Sequence, residues 1–564
     1  MQAANPNSFI KKYIKDIILK AYGECVSDGL LDKVELVDFD IEIPKDNANG
    51  DYSSNFAMKN VRLLKKAPNM IGQLIIDKIA DDSMFAQPPQ IAGPGFINFK
   101  MSNKYYDMIL SSILNLGKDY GKSDFLNNEK IIVEFVSANP TGPMHMGNAR
   151  GGIIGDCLSE VLKWCGADVY KEFYVNDAGN QVALFGQSLY VRLYQLVNGK
   201  YSMEFPDDGY HGDDIKELAA LFLEKNGQDV LDLDKDELTK MLVSFGLERN
   251  ISKMQKDLAK YKIYYDNWFK ESTLHESGYV KETIDLLDKK GAIYEKDGAK
   301  WFRASDYGCE KDEVMVKANG FYTYYAVDLA YHRNKFTVRN FDRAIDVLGA
   351  DHHGHTLRYK AGLKALGIEP ERLQVVLMQL VSLMRDGQVV KMSKRTGKSI
   401  SLNDLLDEIP ADAARFFFNL RQSESAMEFD LSLAVKKDNE NPLYYVQYAH
   451  ARICSVLKNL GVDIDSFSAD VDCSVLQSDS ERELMRLLAL FPDEVALAAT
   501  GLEPSRITRY AVSVASAFHS FYNSCRIKGE SEKIKNSRLA LAVSAKTVLK
   551  NSLELMSITA PESM

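Results

Sequence analysis

The stretch from residue 131 to residue 175 constrains the fold more than any other part of the chain. IIVEFV (131–136) is β-branched and apolar, as a strand covered on both faces of a parallel sheet must be. The turn SANPTGPMHMGNARGG follows it. Ile154, Leu158 and Leu162 then recur at helical spacing, with Ile153, Cys157, Val161 and Cys165 beside them. That pattern predicts a helix lying on a sheet and stopped by Gly166. ADVYKEFYV returns as a second strand. Strand, glycine-rich turn, helix and strand make a β-α-β unit, the start of a doubly wound sheet.

With 564 residues the chain is too long for one core; at ~150 residues per domain it should hold three or four. Residues 1–120 begin with an amphipathic helix (Ile10, Ile14, Ile17, Ile18). They continue through VELVDFDIEI, which alternates like a strand, and GDYSSNFAMKN, and read as a small α+β domain. Residues 121–435 read as the doubly wound domain, with polar, irregular insertions around 195–310. Within it AIDVLGADHHGHTLRYKAGLKALG is strand, loop and helix, and LQVVLMQLVSLM is read as one strand. Residues 436–564 hold few Gly or Pro and keep helical periodicity, which predicts a helical bundle. The expected fold is therefore multidomain α/β: a Rossmann-like parallel-sheet catalytic domain, an N-terminal α+β domain and a C-terminal all-α bundle.

Several classes are set aside. No apolar run approaches ~18–20 residues, so no membrane span is expected. Lys and Asp are interspersed in the first helix, unlike a secretory signal. The seven cysteines are odd in number and form no C-x-x-C pair, which points to a reducing cytoplasm and away from a disulfide framework or zinc knuckle. The net charge of −10 by itself argues against a nucleic-acid partner. A protein this large needs only a local basic face, so charge does not decide the function.

Two motifs carry chemistry. Pro140-Thr141-Gly142-Pro143-Met144-His145-Met146-Gly147-Asn148 lies between strand and helix, at the carboxyl edge of the sheet where open α/β folds bind ligands. Backbone N–H groups at a helix start favour phosphate, His145 can donate to a phosphate oxygen, and Gly147 lets a nucleotide approach the backbone. Taken alone, the segment reads equally well as a tight turn with a surface histidine. Lys391-Met392-Ser393-Lys394-Arg395 follows the turn signal Arg385-Asp386-Gly387-Gln388 and suits a leaving pyrophosphate. Alone it is a solvated basic loop. Gly397-Lys398-Ser399 lacks the glycine five residues earlier that a phosphate-binding Walker loop needs; Met392 stands there. His352, His353 and His355 invite a zinc reading, but no thiolate or H-E-x-x-H helix accompanies them, so no metal site is assigned. Asp232, Asp234 and Asp236 imitate a calcium loop, yet Glu237 and Val243 replace its glycine and closing glutamate, so a solvated helix start is expected.

An H-x-G-x turn after the first strand with a downstream K-M-S-K resembles the class I aminoacyl-tRNA synthetases. VEFVSANPTGPMHMGN, FYVNDAGNQ, GYHGDD, YTYYAVDLAYH and VLGADHHGH resemble the arginyl-tRNA synthetase family, as do GDYSSNFAM, YYVQYAHAR and the closing methionine. The resemblance covers nearly the whole chain and is loose only around 195–310. It implies ATP-dependent ligation of L-arginine to its tRNA through an arginyl-adenylate, releasing AMP and pyrophosphate, with tRNA required for activation. It implies His145, Lys391 and Lys394 as catalytic residues. ATP would be held by Pro140, Gly142, His145, Gly147, Asn148, Asp351, His355, Lys391, Met392, Ser393 and Lys394, accompanied by Mg2+. Arginine would be held by Glu134, Ser137, Asn139, Tyr324, Asp328 and His352. A planar guanidinium with five donors wants carboxylates for forked hydrogen bonds, and Glu134 and Asp328 would converge on it. Tyr324 and Asp328 stand four apart, on one face of a helix. The family's turn usually ends in His where this chain has Asn148, which can donate a hydrogen bond but carries no charge. Tyr444, Tyr445, Tyr448, Arg452 and Met564 could stack on and hold anticodon bases. A monomer without membrane attachment is expected. The rivals are another nucleotidyltransferase sharing the H-x-G-x turn, and a catalytically silent tRNA-binding paralogue.

Overall fold

The computed structural model describes residues 6–44, 46–199, 202–390, 400–462 and 471–564. The chain forms two compact units. One spans Leu126–Lys436 and takes in Leu502–Ser505; the other joins the residues up to Phe125 to Lys437–Gly501 and Arg506–Met564.

The first unit is built on five parallel strands: β1 (Lys130–Phe135), β2 (Asp168–Val175), β3 (Asn267–Lys270), β4 (Arg343–Gly349) and β5 (Leu373–Met378). Their order across the sheet is β5-β4-β1-β2-β3. Strand order therefore reverses between β1 and β4, and the loops leaving these strands part there to open a crevice. Three helices border that crevice: α1 (Gly147–Trp164), α2 (Tyr324–Thr337) and α3 (His353–Leu366). Helix α1 is buried along most of its length and lies directly on β1. Gly155 makes this possible, because a Cβ there would stand 2.3 Å from the Phe135 ring.

The zone expected to be irregular is largely helical. Helices Asn180–Asn198, Asp213–Asn226 and Lys235–Lys260 share a core that includes Phe185, Leu189, Phe222 and Leu242. The outer faces of the second and third are so rich in Lys, Asp and Glu that the apolar period is diluted in the sequence. The zone is also more than an insertion, since β3 lies within it and completes the main sheet. Asp234 caps the third of these helices, accepting from the N–H groups of Asp236 and Glu237, as a solvated helix start should.

LQVVLMQLVSLM divides into two strands. Beyond β5 the chain breaks at Gln379 and Leu380, and Val381–Arg385 joins a separate three-stranded sheet with Gln388–Val389 and Met427–Asp430. The break has a tertiary cause. The buried Arg150 of α1 donates to the carbonyls of Gln379 (2.7 Å), Gln422 (2.9 Å) and Ser425 (3.0 Å), pinning both edges of the junction.

In the second unit, helix Pro6–Ser27 buries Ile10, Ile14 and Ile18. Of VELVDFDIEI only Ile41–Glu42 is strand, in a four-stranded antiparallel sheet. Helices Pro442–Asn459, Asp479–Thr500, Ser505–Ser524 and Glu532–Leu555 form the C-terminal bundle. The two ends of the chain share a core: Asn7 donates to the Ala489 carbonyl at 2.6 Å, and Tyr120 to that of Leu488 at 3.0 Å. The N-terminal zone and most of the chain from Lys437 on, read apart in the sequence, thus belong to one unit.

Candidate active site

The site begins where β1 ends. Val136 (φ 71°) and Ser137 (φ 43°) are both left-handed, a conformation that costs a β-branched residue most. The backward twist aims the Ser137 hydroxyl at Glu134, donating to Oε1 at 2.9 Å, while Ser137 Oγ itself accepts from the Tyr174 N–H at 3.1 Å. The turn then runs on to α1. Asn148 Oδ1 accepts from the His145 N–H at 3.0 Å, so the amide found here in place of histidine holds the turn that carries His145.

A cavity of about 690 Å³ opens over this turn, lined by Ser137, Asn139, Gly142, His145 and Asn148. Five residues expected at the site from the sequence are thereby brought together. Gln181, Tyr210, His211 and Asp214, from the FYVNDAGNQ and GYHGDD segments, complete the wall. Gln181 accepts from Asn139 at 2.7 Å, and Asn250 donates to the Pro140 carbonyl at 2.8 Å. Lys391, Met392, Ser393 and Lys394 lie outside the described residues. The chain just after them is anchored on the same turn. Ser401 forms a β-bridge with His145, Met146 N–H donates to the Ile400 carbonyl at 3.3 Å, and Leu402 N–H to that of Met144 at 3.0 Å.

On the other side of the crevice Thr323 caps α2, which puts Tyr324 in its first turn and Asp328 one turn on. Tyr324 is 60% exposed. Asp328 accepts from the Tyr359 hydroxyl of α3 at 2.7 Å, and His355 Nδ1 lies 3.2 Å from that hydroxyl. Burial pushes the Asp328 carboxyl up to about 6, against the lowering effects of the Tyr359 hydrogen bond and of His332. His352 packs against His355 with ring centroids 5.0 Å apart, and the exposed Asp351 lies 3.7 Å from His352. Tyr324, Asp328, Asp351, His352 and His355 do not line the cavity over the His145 turn.

Beneath α2 runs a row of acids. Asp346, Glu134 and Glu172 are direct neighbours across β4, β1 and β2, and all three are buried. Three carboxylates in register repel one another unless cations intervene. Lys335 of α2, fully buried, donates to Glu134 Oε2 at 2.6 Å and to Asp346 Oδ1 at 2.8 Å, with the Tyr331 ring 4.3 Å away. His332 bridges Asp346 Oδ2 and the Asp328 carbonyl, each at 2.7 Å. Arg339 and the Tyr331 hydroxyl each reach Glu172 at 2.6 Å. The geometry thus departs from two like acids closing on a guanidinium. Glu134 carries its own buried cation on one oxygen and Ser137 on the other. Sequence reading missed Lys335, His332, Arg339 and Tyr359. The one local signal was that Lys335 lies two turns beyond Asp328 on the same helix face; its partners sit on strands remote in sequence.

In the second unit, Tyr444 and Tyr448 are parallel with centroids 6.0 Å apart, and the Arg452 guanidinium lies 5.8 Å from Tyr448 and 4.3 Å from Tyr522. Tyr445 packs on His519 at 4.7 Å, and Met564 is exposed.

Comparison with known proteins agrees along the whole chain. A family model described as the arginyl tRNA synthetase N terminal domain matches residues 8–101. One for the catalytic domain of class I (R) tRNA synthetases matches 109–427, and one for the DALR anticodon binding domain matches 446–564. The arginine–tRNA ligase of Acetivibrio thermocellus is 49% identical over 561 residues, 98% of this chain and 99% of that protein. That of Caldanaerobacter subterraneus subsp. tengcongensis is 51% identical over 557 residues, again 98% and 99%. The fold matches the solved Thermus thermophilus arginyl-tRNA synthetase with a TM-score of 0.75, covering 98% of this chain and all of that one at 19% identity. With its parallel-sheet crevice, its N-terminal segment and its helical C-terminal bundle, the chain belongs to the arginyl-tRNA synthetase family of class I aminoacyl-tRNA synthetases.

Proposed function

We propose that this family member ligates L-arginine to its tRNA at the crevice between β1 and β4. The reaction proceeds in two steps. The arginine carboxylate attacks the α-phosphorus of ATP, giving arginyl-adenylate and pyrophosphate. A hydroxyl of the 3′-terminal ribose of tRNA then takes the arginyl group and AMP leaves.

The observation that carries this reading is the bridge between His145 and Ser401. It anchors the chain that follows the lysine motif, at Ser401, on the turn that carries the first motif, which supports both motifs addressing one triphosphate. His145 donates to phosphate oxygens as charge develops, and Lys391 and Lys394 stabilise the leaving pyrophosphate. Pro140, Gly142, Gly147, Asn148, Met392 and Ser393 shape the nucleotide site, with Asp351 and His355 at its far edge. Mg2+ arrives with ATP and is held mainly by phosphate oxygens.

Asp328 receives the guanidinium, with Tyr324, His352, Asn139, Ser137 and Glu134 around the amino acid. The buried acids Glu134, Glu172 and Asp346, with the half-buried Asp328, are matched there by two side chains of permanent positive charge, Lys335 and Arg339. A cationic side chain relieves that imbalance and a neutral one does not. Tyr444, Tyr448, Arg452 and Met564 contact tRNA, by stacking and hydrogen bonding to anticodon bases. The protein acts as a monomer in the cytoplasm; no described helix is long and apolar enough to cross a membrane.

Aminoacylation of purified tRNA, offered each amino acid in turn, tests the assignment: arginine alone should be charged, and charging of another amino acid in its place overturns it. Lys394→Ala should slow adenylate formation far more than it weakens tRNA binding; equal losses contradict the role given to Lys394. Pyrophosphate exchange without tRNA should be near zero.

A further inference from the structure

The Asp328 carboxylate meets charged or titratable groups from every element around it. Its own helix supplies His332, β1 supplies Glu134 and β2 Tyr174, and behind them His332 and Lys335 both bond Asp346 of β4. Glu271 follows β3, and α3 supplies Tyr359 and His355. Of these, Tyr359 makes a direct side-chain hydrogen bond to the carboxylate, at Oδ2. The phenol has little freedom to turn away. Its ring is buried, lies parallel to Tyr325 (centroids 6.2 Å, 4° between planes) and stacks on His332 at 4.9 Å. Tyr325 is itself held by a 2.8 Å hydrogen bond to the Arg358 carbonyl, in the same turn of α3 as Tyr359.

We propose that Tyr359 is a positioning residue for arginine recognition: its hydroxyl holds Oδ2 of Asp328 and fixes the plane of the carboxylate, so that Oδ1 is presented to the guanidinium. The inference rests on the reading above, in which Asp328 is the acid that receives the substrate side chain. Two effects work in the same direction. A carboxylate tied at one oxygen by a charge-assisted hydrogen bond from a rigid donor no longer rotates, so less freedom is lost when arginine binds. A donor to the ionised form also opposes the burial that favours the neutral acid, and arginine binds the ionised form.

The test is Tyr359→Phe in the full chain, which keeps the ring and its stacking and removes only the hydroxyl. The arginine KM and kcat/KM are measured in aminoacylation with saturating ATP and tRNA, between about pH 5.5 and pH 8.5, to locate the acid limb. The KM for arginine should rise roughly tenfold near pH 6 and less at pH 8, the acid limb moving up by about one unit, with the KM for ATP and the melting temperature little changed. In the Asp328→Asn background, adding Tyr359→Phe should cost no further arginine affinity. An unchanged arginine KM and acid limb in Tyr359→Phe, equal losses toward arginine and ATP, or additive losses in the double variant would overturn the inference. A different result strikes the underlying reading instead: Asp328→Asn alone leaving arginine binding intact while the wild-type protein charges arginine.

Discussion

Lys335→Met replaces a fully buried ammonium by an uncharged side chain of similar length. The wild-type nitrogen makes two charge-assisted hydrogen bonds, to Glu134 and Asp346, which are register neighbours on adjacent strands. Without it, two buried carboxylates face each other with no cation between them. Removing one partner of a buried ion pair costs about 3–5 kcal/mol, and this site should lie in that range. The parallel-sheet unit contains about 310 residues, and an unfolding entropy of about 2.1 cal/mol/K per residue converts ~4 kcal/mol into a fall of ~6 °C in its melting transition. The assay is thermal unfolding of the full chain followed by a probe in that unit. Lys335→Met with Asp346→Asn should recover part of the loss, since one of the stranded charges is then gone. The pH dependence carries a sign. Burial raises the Asp346 carboxyl, but the charges and hydrogen bonds of Lys335 and His332 outweigh it and hold the group well below the usual carboxylate range. Its contribution is therefore complete above the unfolded value of about 4 and lost as pH falls below it. The gap between wild type and Lys335→Met should be full at pH 7 and narrow in acid. A shift under about 2 °C at pH 7, or a double variant that merely adds the two single losses, refutes the claim that Lys335 holds the acid row together.

Three further outcomes are expected. Arg150→Met removes the donor that pins the carbonyls of Gln379, Gln422 and Ser425, and should lower stability by about 3 kcal/mol; a melting temperature equal to wild type would show that the break after β5 does not depend on the clamp. Because burial pushes the Asp328 carboxyl up to about 6 and arginine binds its carboxylate, the arginine Kd measured by calorimetry should be flat above that value and weaken by about tenfold per pH unit below it. A Kd unchanged down to pH 5 contradicts this. Asn148→Ala strips the acceptor from the His145 N–H, at a cost of about 1 kcal/mol, and should raise the KM for ATP more than that for arginine; the reverse order would place Asn148 on the amino-acid side.

The sequence by itself determined the local devices: the β1–turn–α1–β2 unit with its glycine-rich turn, the placing of Tyr324 and Asp328 on one helix face, the Asp234 cap and the amphipathic first helix. Each is encoded within a few residues by spacing or capping chemistry. The lysine motif lies outside the described residues. Helices Asp213–Asn226 and Lys235–Lys260 carried their period only faintly, because their charged outer faces diluted it, and the four residues of β3 were too few to show one. Only the tertiary structure decided that Asp346, Glu134 and Glu172 stand side by side, since that depends on strand order and register. It likewise decided that Lys335 and Arg339 answer them from a helix, that Tyr359 meets Asp328, that Arg150 splits an apolar run into two strands, and that both ends of the chain share one core. Pairings between residues remote in sequence leave no periodic trace. They exist because buried charges and backbone carbonyls must find partners wherever the fold brings them.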